Sequence, residues 1–93
     1  MAMQTYISEL TLLDKKANRL LSRKMPKPTA SDDPRSFFTS QLADAVSALL
    51  ERAGIKLQRE LPADIPHILW TEGCFSLSED GGCQLSAVHK VLS

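Results

Sequence analysis

The strongest constraint on the fold of this chain is the punctuation around residues 33–53. Asp33 can cap a helix, Pro34 suits the first helical position, and Gly54 follows the last periodic residue. Between them Phe38, Leu42, Ala45, Val46, Leu49 and Ala53 recur at helical spacing and make a broad apolar face. Ile55 then suits the hydrophobic contact that accompanies a glycine C-cap. A helix over 33–53 with one face to bury follows, and the rest of the chain must supply its cover.

A second periodic stretch precedes it. Tyr6, Leu10, Leu13, Ala17 and Leu20 are spaced by four, three, four and three residues, which predicts a helix over 5–24 with Thr5 as its cap. Glu9 would lie toward the positive end of that helix dipole, with Arg23 and Lys24 toward the negative end. Pro26 and Pro28 stop it, and residues 25–32 form a connector long enough for two helices to turn back antiparallel.

Beyond Gly54 the period shortens. Ile55, Leu57, Arg59 and Leu61 alternate with Lys56, Gln58 and Glu60, which predicts a short half-buried strand. Residues 66–72 fit either a strand or a short helix from Pro66 to Gly73. Cys74 to Ser78, then Glu79-Asp80-Gly81-Gly82, then Cys83 to Ser86 describe a β-hairpin, because Asp-Gly supplies the positive φ of a tight turn. Residues 87–92 either extend that strand or coil into a last helical turn. The expected fold is one α+β domain over 1–93. An N-terminal antiparallel helical hairpin packs on a small antiparallel sheet, with a mixed β and short-helix region over 55–92.

At 93 residues such a domain buries only about 60–65% of its unfolded surface, so the core is thin. Met1 to Glu9 lacks a basic start followed by an apolar run of about 7–15 residues, and no apolar stretch approaches about 18 residues. No export signal or membrane span is therefore expected. Two cysteines, Cys74 and Cys83, are fewer than a secreted disulfide framework carries. A reducing cytoplasm with free thiols is the expectation.

Chemistry-bearing motifs are sparse. There is no G-x-S-x-G elbow, no glycine-rich phosphate loop, and the acid pairs Asp32-Asp33 and Glu79-Asp80 sit where a helix start and a turn want acids. No catalytic site and no cofactor are expected. His67, Cys74, Cys83 and His89 are all zinc-competent, but their H-x6-C-x8-C-x5-H spacing lacks the paired ligands of a zinc turn. A hairpin centred on Asp80-Gly81 sets Ser78 opposite Cys83 and Cys74 opposite Ala87, so the two sulfurs do not meet.

Charge carries the remaining signal. Residues 1–31 hold six bases and two acids, whereas residues 32–93 hold five bases and nine acids. On a helix of about 100° per residue, Lys16, Arg19 and Arg23 share one face, and Lys24 and Lys27 extend it. That face is either a solvated surface, attracted to the acidic half of the same chain, or the contact for an acidic protein or a nucleic acid. No aromatic interleaves it to stack bases. Leu12 on the polar side of that helix, Phe37 off the stripe of the next, and Trp70 beside Pro66 are candidate apolar anchors for a partner or a second copy. The expected function is a non-enzymatic adaptor, regulator or inhibitor that docks on a larger protein partner, alone or as a homodimer. A nucleic-acid-binding regulator is the alternative, and a zinc-stabilised module the third.

Overall fold

The computed structural model describes residues 4–57 and 60–92. In chain order the elements are β1 (Thr5–Asp14), β2 (Arg19–Lys24), α1 (Pro34–Ala53), α2 (Ile65–Glu72), β3 (Cys74–Ser76) and β4 (Cys83–Val91). The expected helix over 5–24 does not form, and with it falls the N-terminal helical hairpin. Residues 5–24 are an antiparallel β-hairpin, with Asp14 paired to Arg19 and Glu9 to Lys24.

The reason for the inversion lies at Ser8 and Asn18. The pairing of β1 with β4 slips by one residue between Ile7 and Glu9, which makes Ser8 the extra residue of a β-bulge. The bulge puts Ile7 and Leu10 on the same buried face at a spacing of three, and strict alternation then continues through Leu12 and Asp14. The stripe read as helical, Tyr6, Leu10, Leu13, Ala17 and Leu20, instead mixes the two faces of the sheet, with Leu10 buried and Leu13 opposite the exposed Leu20. Asn18 adopts φ 52° in the loop between the strands, a left-handed conformation that asparagine tolerates and a helix interior does not. Pairing on both edges of β1 outweighs a local helical preference worth only tenths of a kcal/mol, about 0.7 at most per ordinary residue.

The four strands run β2-β1-β4-β3, all neighbours antiparallel. Their register aligns Leu21, Leu12, Leu85 and Phe75 in one row across the sheet. That row faces the two helices. Leu10, Leu12 and Leu85 are fully buried against Phe38, Leu42, Val46 and Leu49 of α1 and Ile65 and Leu69 of α2. Each such leucine is worth about 1.5–3 kcal/mol of burial, so this row anchors a thin core. The opposite face carries Thr11, Ser22, Gln84 and Ser86 and is open, as antiparallel sheets permit.

Helix α1 begins and ends where its punctuation predicts. The Asp33 carboxylate accepts the Ser36 N–H at 3.1 Å and the Ser36 hydroxyl at 2.8 Å. Gly54, at φ 69°, closes the helix, and the Ile55 N–H donates to the Leu50 carbonyl. Ile55, Leu57 and Leu61 pack on the core, yet residues 55–57 and 60–61 form no strand. Gln58 and Arg59, which belong to the strand expected there, lie outside the described residues. Residues 65–72 resolve as helix and residues 83–91 as one continuous strand. No helix among the described residues is long and apolar enough to cross a membrane.

Candidate functional site

Strand β2 is an edge strand six residues long. The Met25 N–H donates to the Ser8 carbonyl at 2.9 Å, which fixes the phase of its ladder. Odd-numbered residues from 19 to 25 direct their backbone groups at β1, so Leu20, Ser22 and Lys24 direct theirs outward. Side chains alternate independently: Arg19, Leu21 and Arg23 take the helix-facing side, while Leu20, Ser22 and Lys24 take the open face. Leu20 is 66% exposed, the most of any large apolar side chain described.

Four cations surround this edge. Arg19 donates through Nη2 to the Ala53 carbonyl at 2.5 Å, and the same nitrogen stands 3.9 Å from the Asp14 carboxylate. Arg52, from the last turn of α1, donates through Nη1 to the outward Ser22 carbonyl at 2.9 Å. Arg23 and Lys24 are exposed and make no side-chain hydrogen bond or ion pair among the described residues. Glu9 stands opposite Lys24 in the register without forming an ion pair. Among the described residues the acid in ion-pair range of the group is Asp14, largely buried and paired with Arg19.

A second concave region lies at the loop end of the sheet. A cleft of about 910 Å³ opens between the β1–β2 loop, the residues after α1 and the β3–β4 loop. Lys16 and Asp80 bridge it at 3.4 Å, and the Lys15 N–H donates to the Gly82 carbonyl at 2.8 Å. Asp80 is held at about 2, first by the Gly82 N–H, then by the Ser78 hydroxyl and the Lys16 charge. Cys83 lines the cleft as a buried thiol pushed up by burial and then by the Asp14 charge, which disfavours the nucleophilic thiolate. Its walls mix Lys16, Arg19 and Lys56 with Asp14, Glu79 and Asp80, so no single ligand charge is selected.

The residues singled out in the sequence thus separate. Lys16 lines the cleft, Arg23 and Lys24 lie at the edge, and Arg19 stands where the two meet, on a strand rather than a helix face. Leu12 is fully buried at the centre of the sheet and presents nothing to a partner. Its expected exposure belonged to the helix that does not form. Phe37 is half-buried beside Tyr6, Met25 and Pro26. Trp70 is half-buried too, its ring centroid 6.0 Å from Phe38 and 5.3 Å from His89. His67 contacts Arg35, Cys74 stands opposite Ser86 on the open face, and Cys83 stands opposite Asp14 on the helix-facing one. Among the described residues no three His, Cys, Asp or Glu side chains cluster as metal ligands would. Sequence reasoning missed Arg52, whose signal was available: a base in the last helical turn, free to reach beyond the helix. Compared with known proteins, the chain matches no family, no curated protein and no solved structure.

Proposed function

We propose that this chain is a non-enzymatic interaction module that docks on a larger protein through the basic edge formed by β2. One observation carries the reading: a six-residue edge strand with three outward-facing residues is ringed by Arg19, Arg23, Lys24 and Arg52, and Arg23 and Lys24 have no ion-pair partner among the described residues. Charged edge strands resist random pairing, and the same charges select and steer an acidic surface. The cleft at the loop end supports catalysis poorly, since its thiol is protonated and its one strongly held carboxylate is already bonded.

The test is a comparative capture from the native host, with the wild-type chain and the Arg23→Glu, Lys24→Glu double variant as baits, each with and without nuclease. Both substitutions are at exposed positions, but Lys24→Glu sets a second acid opposite Glu9, so a stability loss of about 0.2–1 kcal/mol is expected, with the fold retained. Proteins retained by the wild type after nuclease, and lost from the variant, are the expected result. Retention that vanishes with nuclease transfers the edge to nucleic acid. Equal retention by both baits rules out the edge as the docking surface.

A further inference from the structure

We infer that the β2 edge takes an acidic, extended segment of its partner as a fifth strand of the sheet, an inference that rests on the docking reading above. Two sets of groups point outward from the same six residues. Among the described residues the amides and carbonyls of Leu20, Ser22 and Lys24 have no neighbouring strand, and only the Ser22 carbonyl is taken, by Arg52. An extended chain satisfies those backbone groups with a ladder, and its side chains meet those of β2 directly opposite.

The register dictates which side chains fit. An antiparallel segment running along β2 from Lys24 back to Arg19 meets Lys24, Arg23, Ser22, Leu21, Leu20 and Arg19 in turn. Complementarity calls for acid, acid, polar, apolar, apolar, acid. The fourth and fifth positions rest on half-buried Leu21 and exposed Leu20, one on each face. The first two meet the exposed Lys24 and Arg23, and the sixth stands opposite Arg19, whose guanidinium is already held by the Ala53 carbonyl and Asp14 and adds less. When the incoming amide donates to the Ser22 carbonyl, Arg52 is released and adds a fourth cation beside the segment.

A second copy of the chain fits badly. Ladder phase allows two β2 strands to pair antiparallel over most of their length only about Leu21, Ser22 or Arg23. Pairing about Leu21 sets Arg19 opposite Arg23 of the copy. Pairing about Arg23 sets that arginine opposite itself. Pairing about Ser22 leaves Arg23 diagonal to Arg19 and Arg23 of the copy. Each register crowds like charges, which destabilises cross-strand pairs.

The probe is a capped hexapeptide, glutamate-glutamate-threonine-valine-valine-glutamate, titrated into the full chain and followed by NMR shifts of β2 amides. Binding that perturbs Leu20, Ser22 and Lys24 is expected, with about a tenfold loss when the third and fifth amides are N-methylated, since two ladder hydrogen bonds go. N-methylation at the fourth amide alone, which faces away from β2, should leave affinity within about twofold. Replacing the glutamates by lysine should abolish binding to the wild type and restore it to the Arg23→Glu, Lys24→Glu variant. Equal losses from either N-methyl pattern overturn the strand while leaving a charged docking edge intact. A chain that retains its partners through the edge yet ignores the glutamate peptide overturns the acidic class. Concentration-dependent self-association that excludes the peptide overturns the inference in favour of a second copy.

Discussion

Asp80 organises the turn between β3 and β4 with one side chain. It accepts the Gly82 N–H at 2.9 Å and the Ser78 hydroxyl at 2.7 Å, and Lys16 reaches it from the opposite loop. Its pKa falls from 3.8 to about 2 on folding, so its stabilisation is fully present above about 3.8 and is lost as pH drops through about 2. An NMR titration of Asp80 should show a midpoint near 2, and Asp80→Asn should flatten the acid limb of the stability profile. A midpoint at the ordinary value would mean the loop does not hold the carboxylate. Leu12 and Leu20 decide a larger question. Leu12→Ala is expected to cost about 2–5 kcal/mol, as for other buried leucines, while Leu20→Ala stays within about 0.5. A helix over residues 5–24 would give the reverse order, because Leu20 lies on its apolar stripe and Leu12 does not. Denaturant unfolding of the two variants separates the outcomes.

At the level of elements, what was legible divides by how local the determinants are. Helix α1 was readable because its cap, its proline, its stripe and its terminal glycine are all written within its own residues. The turn ahead of β4 was readable in place through Asp80 and Gly81, but its register was not: Cys74 pairs with Ser86 rather than Ala87. β1 was not readable, since it is decided by pairing with β4, more than sixty residues away in the chain, and β2 forms only on the β1 so placed. The Ser8 bulge then disguised the alternation that would have betrayed a strand. Arg19, Arg23 and Lys24 were recognised as a basic group, but the surface that unites them with Arg52 exists only once β2 is an edge. Asn18 tests the hairpin directly. With φ at 52°, Asn18→Gly should be neutral or stabilising by a few tenths of a kcal/mol, whereas Asn18→Val should cost about 1–2 kcal/mol or more. In a helix interior the glycine would instead be the damaging change. Thermal unfolding of both variants distinguishes the two elements.

Across the whole molecule, the segregated charge has two destinations. Part is neutralised internally: Lys16 meets Asp80, which ties the basic start to the acidic end at the loop end of the sheet, while Arg19 meets Asp14 within the basic start itself. Arg23 and Lys24 of the basic start, joined by Arg52 from α1, guard the longer free edge. The other outer strand, β3, is only three residues long and offers little to pair with. A four-stranded sheet with one open face and an uncharged six-residue edge would be prone to edge-to-edge growth. On the docking reading proposed above, the cations keep copies apart while leaving the edge available to an acidic strand. Removing them should expose that balance. The triple variant Arg23→Thr, Lys24→Thr, Arg52→Ala keeps strand propensity at the edge, frees the Ser22 carbonyl and leaves Arg19 on Ala53. Sedimentation velocity should show the wild type at a constant size across concentrations and the variant shifting to dimers and larger species as concentration rises. Adding the glutamate–valine peptide should not reverse that shift, because its acids no longer have their cations. A triple variant that stays monomeric throughout would mean that something other than charge protects the edge, and it would remove the physical basis for assigning the edge to an acidic partner.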